Sequence, residues 1–373
     1  MARPGDLDKF SAKTYRETVK KMADEGEKAG DRGQEVFKRT GKLDPLVNVF
    51  EVERKSCNAF SKNGDNTYTL VNGIKIPIIS MVDGTGSMGE NVEKGFLSME
   101  RLFDMLSPIQ TRYQIDLSTA VVQDTVDFHP VFQMSQFESD NRAAEHVRLL
   151  VPDGKGGDAP EDYDLGLWYV ENCVETDFVR YEGLKGYFFL IGDQIGRGRV
   201  CKDDVKTHLG HSMQEDSVST SEICDSLLKK WNFFYIEVEG STSAHSWWSK
   251  RIGSERVIEI DNPDLLAEVQ ASLVYVTEYS QPTEEGLGEF LKAKGNNKNV
   301  SQTDISTVWE WLQVAESLFG AQAKAEGYNN IPMPGDIFKD IRDIWPIGHE
   351  GGTTTPENPT PPPDAEKINW TKF

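Results

Sequence analysis

Several features that would place a chain outside the cytosol or on a nucleic acid are scarce in this sequence. The four cysteines (Cys57, Cys173, Cys201 and Cys224) are far apart and form no Cys-x-x-Cys pair. That excludes a disulfide framework and reads as reduced thiols. No apolar run approaches the roughly 20 residues of a membrane span. The opening stretch MARPGDLDKFSAKTYRETVKKM has no apolar core of the kind a secretory signal carries. The expectation is a cytoplasmic protein with no membrane contact. Basic charge is the other deficit: 40 Lys and Arg against 61 Asp and Glu leave a net charge of -21. A field of that sign opposes nucleic acid and anionic lipid, and it favours cations and a basic partner surface. Cys201, His208 and His211 lack a recognisable zinc spacing and are read as scattered surface residues.

What is present is an alternation of apolar strands and helices. KIPIISMV (75–82), RYQIDLSTAVVQD (112–124), VFQMSQF (131–137), KGYFFLIGD (185–193), WNFFYIEVE (231–239) and ERVIEI (255–260) read as strands. Between them run helical patterns, among them Glu90–Leu106 with Val92, Phe96, Met99, Leu102, Phe103 and Leu106 on one side. Continuous apolar strands separated by helices predict an α/β fold: a doubly wound, mostly parallel, Rossmann-like sheet covered on both faces. VNVFEVE (47–53) and TYTLVN (67–72) alternate as strands do, and Asn72-Gly73 predicts a hairpin into the strand that follows. The expected organisation is a charged N-terminal extension with short strands (1–70), the α/β domain (71–280), an accessory helical segment (281–345) and a proline-rich tail (346–373).

The chemistry gathers at strand ends, where a doubly wound sheet binds its ligands. In IPIISMVDGTGSMGENV an apolar strand runs into Asp83, and hydroxyls follow at Thr85 and Ser87. One carboxylate and two hydroxyls on a tight turn suit a hard divalent cation. A second loop, GKGGDAPEDYDLGL (154–167), presents Asp158 directly after Gly156-Gly157, with Glu161, Asp162 and Asp164 nearby. A third presents Asp193 after the apolar strand GYFFLI. Scattered acids would rarely fall at all three places.

These residues resemble the von Willebrand factor A family, whose metal-ion-dependent adhesion site reads Asp-x-Ser/Thr-x-Ser, then a threonine on a second loop, then an aspartate on a third. Asp83, Thr85 and Ser87 meet the first element in full, and Asp193 matches the third in position. The second departs: Asp158 stands where threonine is usual, and GGDAPEDY is similar to a variant in intracellular members, including those attached to alpha-kinase domains. The resemblance covers about residues 71–280 and implies a mostly parallel sheet with one antiparallel edge strand. It implies metal-dependent protein binding rather than catalysis, with Mg²⁺ (or Mn²⁺ or Ca²⁺) held by Asp83, Thr85, Ser87, Asp158 and Asp193, and with Asp162 and Asp164 at the rim. It further implies a protein partner of the AAA+ ATPase or kinase-associated kind. Three carboxylates on one divalent ion would leave little positive charge, so the metal is expected either to be held more tightly and act partly structurally or to meet a neutral or basic partner group. The segment Gly196–Ser219 is expected to be a mobile partner-selecting loop.

Rival readings are weaker. Gly84–Gly89 fits the Gly-x-Gly-x-x-Gly dinucleotide pattern, but Asp83 would repel a pyrophosphate. The glycine-rich loop at 84–89 has no lysine before its Ser or Thr, as a phosphate-binding Walker loop requires, and Met81 occupies the position of a haloacid-dehalogenase-like nucleophile. A metal-dependent phosphoesterase using the same carboxylates, and a structural assembly subunit using both tails, are the alternatives to an interaction module.

Overall fold

The computed structural model describes residues 30–126, 130–140, 142–152, 159–180, 183–239, 242–293 and 300–339. The expectations for Asp158 and for the tail from 346 lie outside those residues. Helix α1 (Asp31–Thr40) leads into short strands β1 (Arg54–Ser56), β2 (Phe60–Lys62) and β3 (Tyr68–Leu70). Then follow β4 (Ile74–Asp83), α2 (Asn91–Met105), β5 (Tyr113–Val122), β6 (Phe132–Met134), α3 (Arg142–Val147), α4 (Tyr163–Cys173) and β7 (Val174–Thr176). The chain continues through β8 (Gly186–Gly192), β9 (Arg199–Cys201), β10 (Ser217–Ser219), α5 (Thr220–Lys230), β11 (Trp231–Val238), α6 (Thr242–Ile252) and β12 (Val257–Ile260). It ends with α7 (Leu266–Glu278), α8 (Glu284–Lys292), α9 (Gln302–Leu312) and β13 (Ile337–Phe338).

Six strands form the main sheet in the order β12-β11-β8-β4-β5-β6. All neighbours are parallel except β6, which runs antiparallel to β5 at the edge. From β4 the chain winds outward through β5 and β6, then returns to the other side of β4 with β8. The switch point therefore lies between β4 and β8, and the loops after Asp83 and Gly192 flank it.

Alternation along each strand sorts side chains to two faces. Ile76, Ile78 and Val82 of β4 join Phe189, Ile191, Phe234 and Ile236 beneath α2 and α7. Ile79 and Met81 join Phe188, Leu190, Phe233 and Tyr235 beneath α4, α5 and α6. Burial on both faces is the reason these strands read as unbroken apolar runs. The expected inner side of α2 (Val92, Phe96, Met99, Leu102, Phe103, Leu106) is buried throughout. Helices α8 and α9 add Leu287, Phe290, Ile305, Val308 and Leu312 to the same core as α2 and α7.

Three local expectations differ. The hairpin partner of β3 is β2, not β4; the turn lies at 63–66, with Asn66 at φ 64, and β13 pairs with the other edge of β3. Strand β4 is taken by the main sheet, which pairs it on both sides. Residues 45–51 are turns rather than a strand, with Val47 in one core and Val49 in the other. Strand β1 then pairs in parallel with β7, and buried Arg54 donates from Nε (3.0 Å) and Nη2 (2.8 Å) to the carbonyl of Met134 on the edge strand. The segment 196–219, expected as an apolar-poor mobile loop, is an antiparallel β9–β10 pair enclosing helical turns. It buries Val200, Val205, Leu209 and Met213, whose irregular spacing hides them in the sequence.

Candidate metal centre

The site begins where β4 ends. Asp83 is fully buried on the α4 face of the sheet. Gly84 follows because the loop passes against β5: a Cβ there would lie 2.6 Å from Val121 Cγ2. Its N–H donates to the Val122 carbonyl at 2.8 Å and ties the loop to β5. The Asp83 carboxylate then folds the turn. Its Oδ1 accepts from the Thr85 N–H (2.8 Å) and the Thr85 hydroxyl (2.7 Å). Ser87 is exposed in the single turn 86–88 and donates from Oγ to Oδ1 of Asp193 at 3.1 Å. Thr85 Oγ1 and Ser87 Oγ stand 3.2 Å apart.

Proton direction gives this arrangement its chemistry. Thr85 sends its proton into Asp83, and Ser87 sends its proton into Asp193. Both hydroxyl oxygens thus keep lone pairs for something else. Adjacent oxygens on an octahedral ion with Mg–O of about 2.1 Å are separated by about 3.0 Å. The oxygen–oxygen separations of 3.1 and 3.2 Å around Ser87 are of that size.

The opposite wall comes from α4 and the strand-like bridge before it. Tyr163 is fully buried, and its hydroxyl donates to Asp83 Oδ2. Both Asp83 oxygens are therefore held by protein donors, and Asp83 orients the Thr85 hydroxyl rather than standing open itself. Gly192 makes room for this contact: a Cβ at that position would lie 2.5 Å from the Tyr163 hydroxyl oxygen. Glu161, bridged to Gly196, is 4% exposed and its Oε2 makes no hydrogen bond. Burial, then the charges of Asp83, Asp124 and Asp193, push its carboxyl up to about 9. A buried carboxylate oxygen without a donor, beside three other acids, is what a cation would satisfy. Burial also lifts Asp83 to about 6, against the pull of its bonds from Tyr163 and Thr85, and it raises Asp193.

The structure brings Asp83, Thr85, Ser87 and Asp193 together, while Asp158 falls outside the described residues. Asp162 and Asp164 serve as tethers. Asp162 accepts from the N–H and hydroxyl of Thr125, both at 2.7 Å, and from Arg197 Nε at 2.8 Å. Asp164 accepts from the Thr220 hydroxyl and from the Gly198 N–H at 3.2 Å. Asp162 is also the N-cap position of α4, where its side chain makes no capping bond. Arg197 reaches Asp124 with its second nitrogen, so one guanidinium offsets two buried acids at the rim. Sequence reasoning noted Glu161 only as a neighbour and had no signal for Tyr163, an apolar-helix aromatic like any other. His211 packs against Trp168 and Tyr169, away from zinc-like company.

No protein-family model matches the sequence, and no curated protein matches it. Solved structures with related architecture include a von Willebrand factor type A protein from Catenulispora acidiphila, 14% identical, TM-score 0.33, covering 56% of this chain and 44% of that one. Proximal thread matrix protein 1 from the mussel byssus, with a zinc-occupied MIDAS motif, is 16% identical with TM-score 0.36, covering 56% of this chain and 48% of that one. The von Willebrand factor domain of the type V pili tip protein Mfa5 from Porphyromonas gingivalis is 10% identical with TM-score 0.35, covering 57% and 98%. The match thus spans under half the length of the first two. Scores of this size add nothing for the site beyond what the chain's own sheet and loops establish.

Proposed function

We propose that this chain is a metal-ion-dependent protein-interaction module that binds its partner at the carboxyl edge of the sheet. One observation carries the reading: two loops flanking the switch point bring Asp83, Thr85, Ser87 and Asp193 into one hydrogen-bonded cluster that reaches solvent at Ser87. Thr85, Ser87 and Asp193 would hold the ion, Asp83 would act through the Thr85 hydroxyl, and Asp158 would add the third loop of the domain at 71–280. The donors are all oxygen, which suits Mg²⁺ first and Mn²⁺ or Ca²⁺ next. When bound, such an ion supplies a coordination position for one oxygen of a partner. The surplus of acids around the site favours a neutral or basic partner surface over an acidic one. A cytoplasmic partner of the AAA+ or kinase-associated type fits this proposal.

A hydrolase is the second reading, and the site argues against it. The three loops at 83–91, 154–167 and 192–196 contain no histidine. The test is capture of partners from native cell extract with Mg²⁺, with EDTA, and with Asp83→Ala. A partner retained by the native chain and lost in both other arms supports the module. Mg²⁺-dependent phosphate-ester hydrolysis abolished by Asp83→Ala would replace it with the enzyme.

A further inference from the structure

The carboxyl ends of β4, β8, β11 and β12 form one row across the sheet. Val82 pairs with Ile191, Glu237 with Gly192, and Glu259 with Glu237. Asp83, Gly192, Glu237 and Glu259 form the row one residue beyond Val82 and Ile191, so they face the opposite side from those two, beneath α4, α5 and α6. Asp83 and Glu237 stand two strand spacings apart, about 10 Å, so what gathers at Glu237 is separate from the cluster around Ser87.

Glu237 is fully buried and Glu259 is exposed. Like charges directly opposite on neighbouring strands repel. Into this pair α6 delivers His245, whose Nδ1 lies 3.4 Å from Glu237 Oε2. That is longer than the 2.7–2.9 Å usual for a charge-assisted bond between nitrogen and carboxylate. The Nδ1 atom is shielded from solvent and makes no hydrogen bond. One ligand atom from each of Glu237, His245 and Glu259 lies within 4.8 Å of the others. For a tetrahedral ion with bonds of about 2.0–2.1 Å, neighbouring ligands stand about 3.3 Å apart. The Glu237–His245 separation is already that edge, and the exposed Glu259 side chain closes the remaining gap by rotation.

We infer that Glu237, His245 and Glu259 form a second divalent-cation site, of the Zn²⁺ class, with one position left to water. One imidazole and two carboxylates select a borderline ion over Mg²⁺, so it differs in chemistry from the all-oxygen site. Its ion would neutralise the Glu237–Glu259 pair and fasten α6 to edge strand β12 and its neighbour β11. The same helix carries Trp248, whose indole N–H donates to the Gln194 carbonyl at 3.0 Å, one residue past Asp193. The second site thereby steadies the loop that presents Asp193.

The test uses untagged full-length protein and Co²⁺ as a spectroscopic stand-in for Zn²⁺, with bound metal counted after dialysis. The native chain and Asp193→Ala should each bind one Co²⁺ with the intense visible absorption of a four-coordinate ion. His245→Ala and Glu259→Gln should each lose that equivalent and its band while keeping native circular dichroism. An unchanged band and count in His245→Ala overturns the inference, as does a band that vanishes in Asp193→Ala but survives in His245→Ala. Absence of any such band in the native chain overturns it equally.

Discussion

Tyr163→Phe removes one oxygen and leaves the ring packed against Trp248, 6.0 Å away centre to centre. What disappears is the hydroxyl that donates to Asp83 Oδ2. A hydrogen bond to a charged group contributes about 1.5–3 kcal/mol, and its loss here leaves a buried carboxylate oxygen without a donor. Asp83 is already lifted to about 6 by burial, and the Tyr163 bond works against that lift. Without it the Asp83 carboxyl rises further and takes up a proton nearer neutrality. A protonated Asp83 no longer draws the Thr85 proton away, so the Thr85 oxygen loses its aim. Each 1.4 kcal/mol is a factor of ten, and loss of an orienting partner behind a metal ligand typically weakens binding about 10–100-fold. Calorimetric titration of Mn²⁺ or Mg²⁺ at pH 7 should show that loss in Tyr163→Phe. The pH at which binding is half lost should also move upward from that of the native chain. Equal or tighter binding, with native circular dichroism, would show that Asp83 ligates through Oδ2 and would refute the proton-direction argument.

Two further outcomes follow from buried charge. Arg197→Met should destabilise the protein by about 3 kcal/mol, because Asp124 and Asp162 lose their shared guanidinium. Combining it with Asp124→Asn should recover part of that loss in urea unfolding, and strict additivity would contradict the pairing. Glu278, enclosed with the hydroxyls of Tyr187 (2.9 Å) and Tyr113 (3.4 Å), is raised by burial to about 7. The folded state then holds that proton more tightly than the unfolded chain. The contribution is complete below the ordinary glutamate range and is lost as pH rises through about 7, on the order of 3 kcal/mol for this group. Urea midpoints at pH 5 and pH 8 should differ more in the native chain than in Glu278→Gln; an equal difference would exclude the assignment.

Much of the sheet was legible because its strands are buried on both faces. Runs such as GYFFLI and WNFFYI leave few alternatives, and the six residues along α2 mark its inner side. The Asp83–Ser87 turn was legible because its chemistry is local: the carboxylate binds the hydroxyl two residues on. What escaped reading depends on distant partners. Asn72-Gly73 has the composition of a hairpin, yet β4 gains more by pairing on both edges in the main sheet. Arg54 gives no hint in the sequence that it will be buried against the Met134 carbonyl, 80 residues away. Tyr163 becomes part of the site only when Gly192 leaves space for its hydroxyl. Glu161 stood in view but acquired meaning only once burial stripped its Oε2 of donors.

The strand at 337–338 has a consequence out of proportion to its size. It lies along the open side of β3, where Leu70 also bonds to Asp336 (3.0 Å) and Gly335 (2.8 Å), and Phe338 meets Phe60 edge-on. The end of the described chain thus acts as a belt buckled onto its beginning. A cut in the 320s would unfasten it and bare a row of strand donors and acceptors, the surface on which one polypeptide recruits another. Proteolytic trimming of this region would therefore announce itself first as clumping.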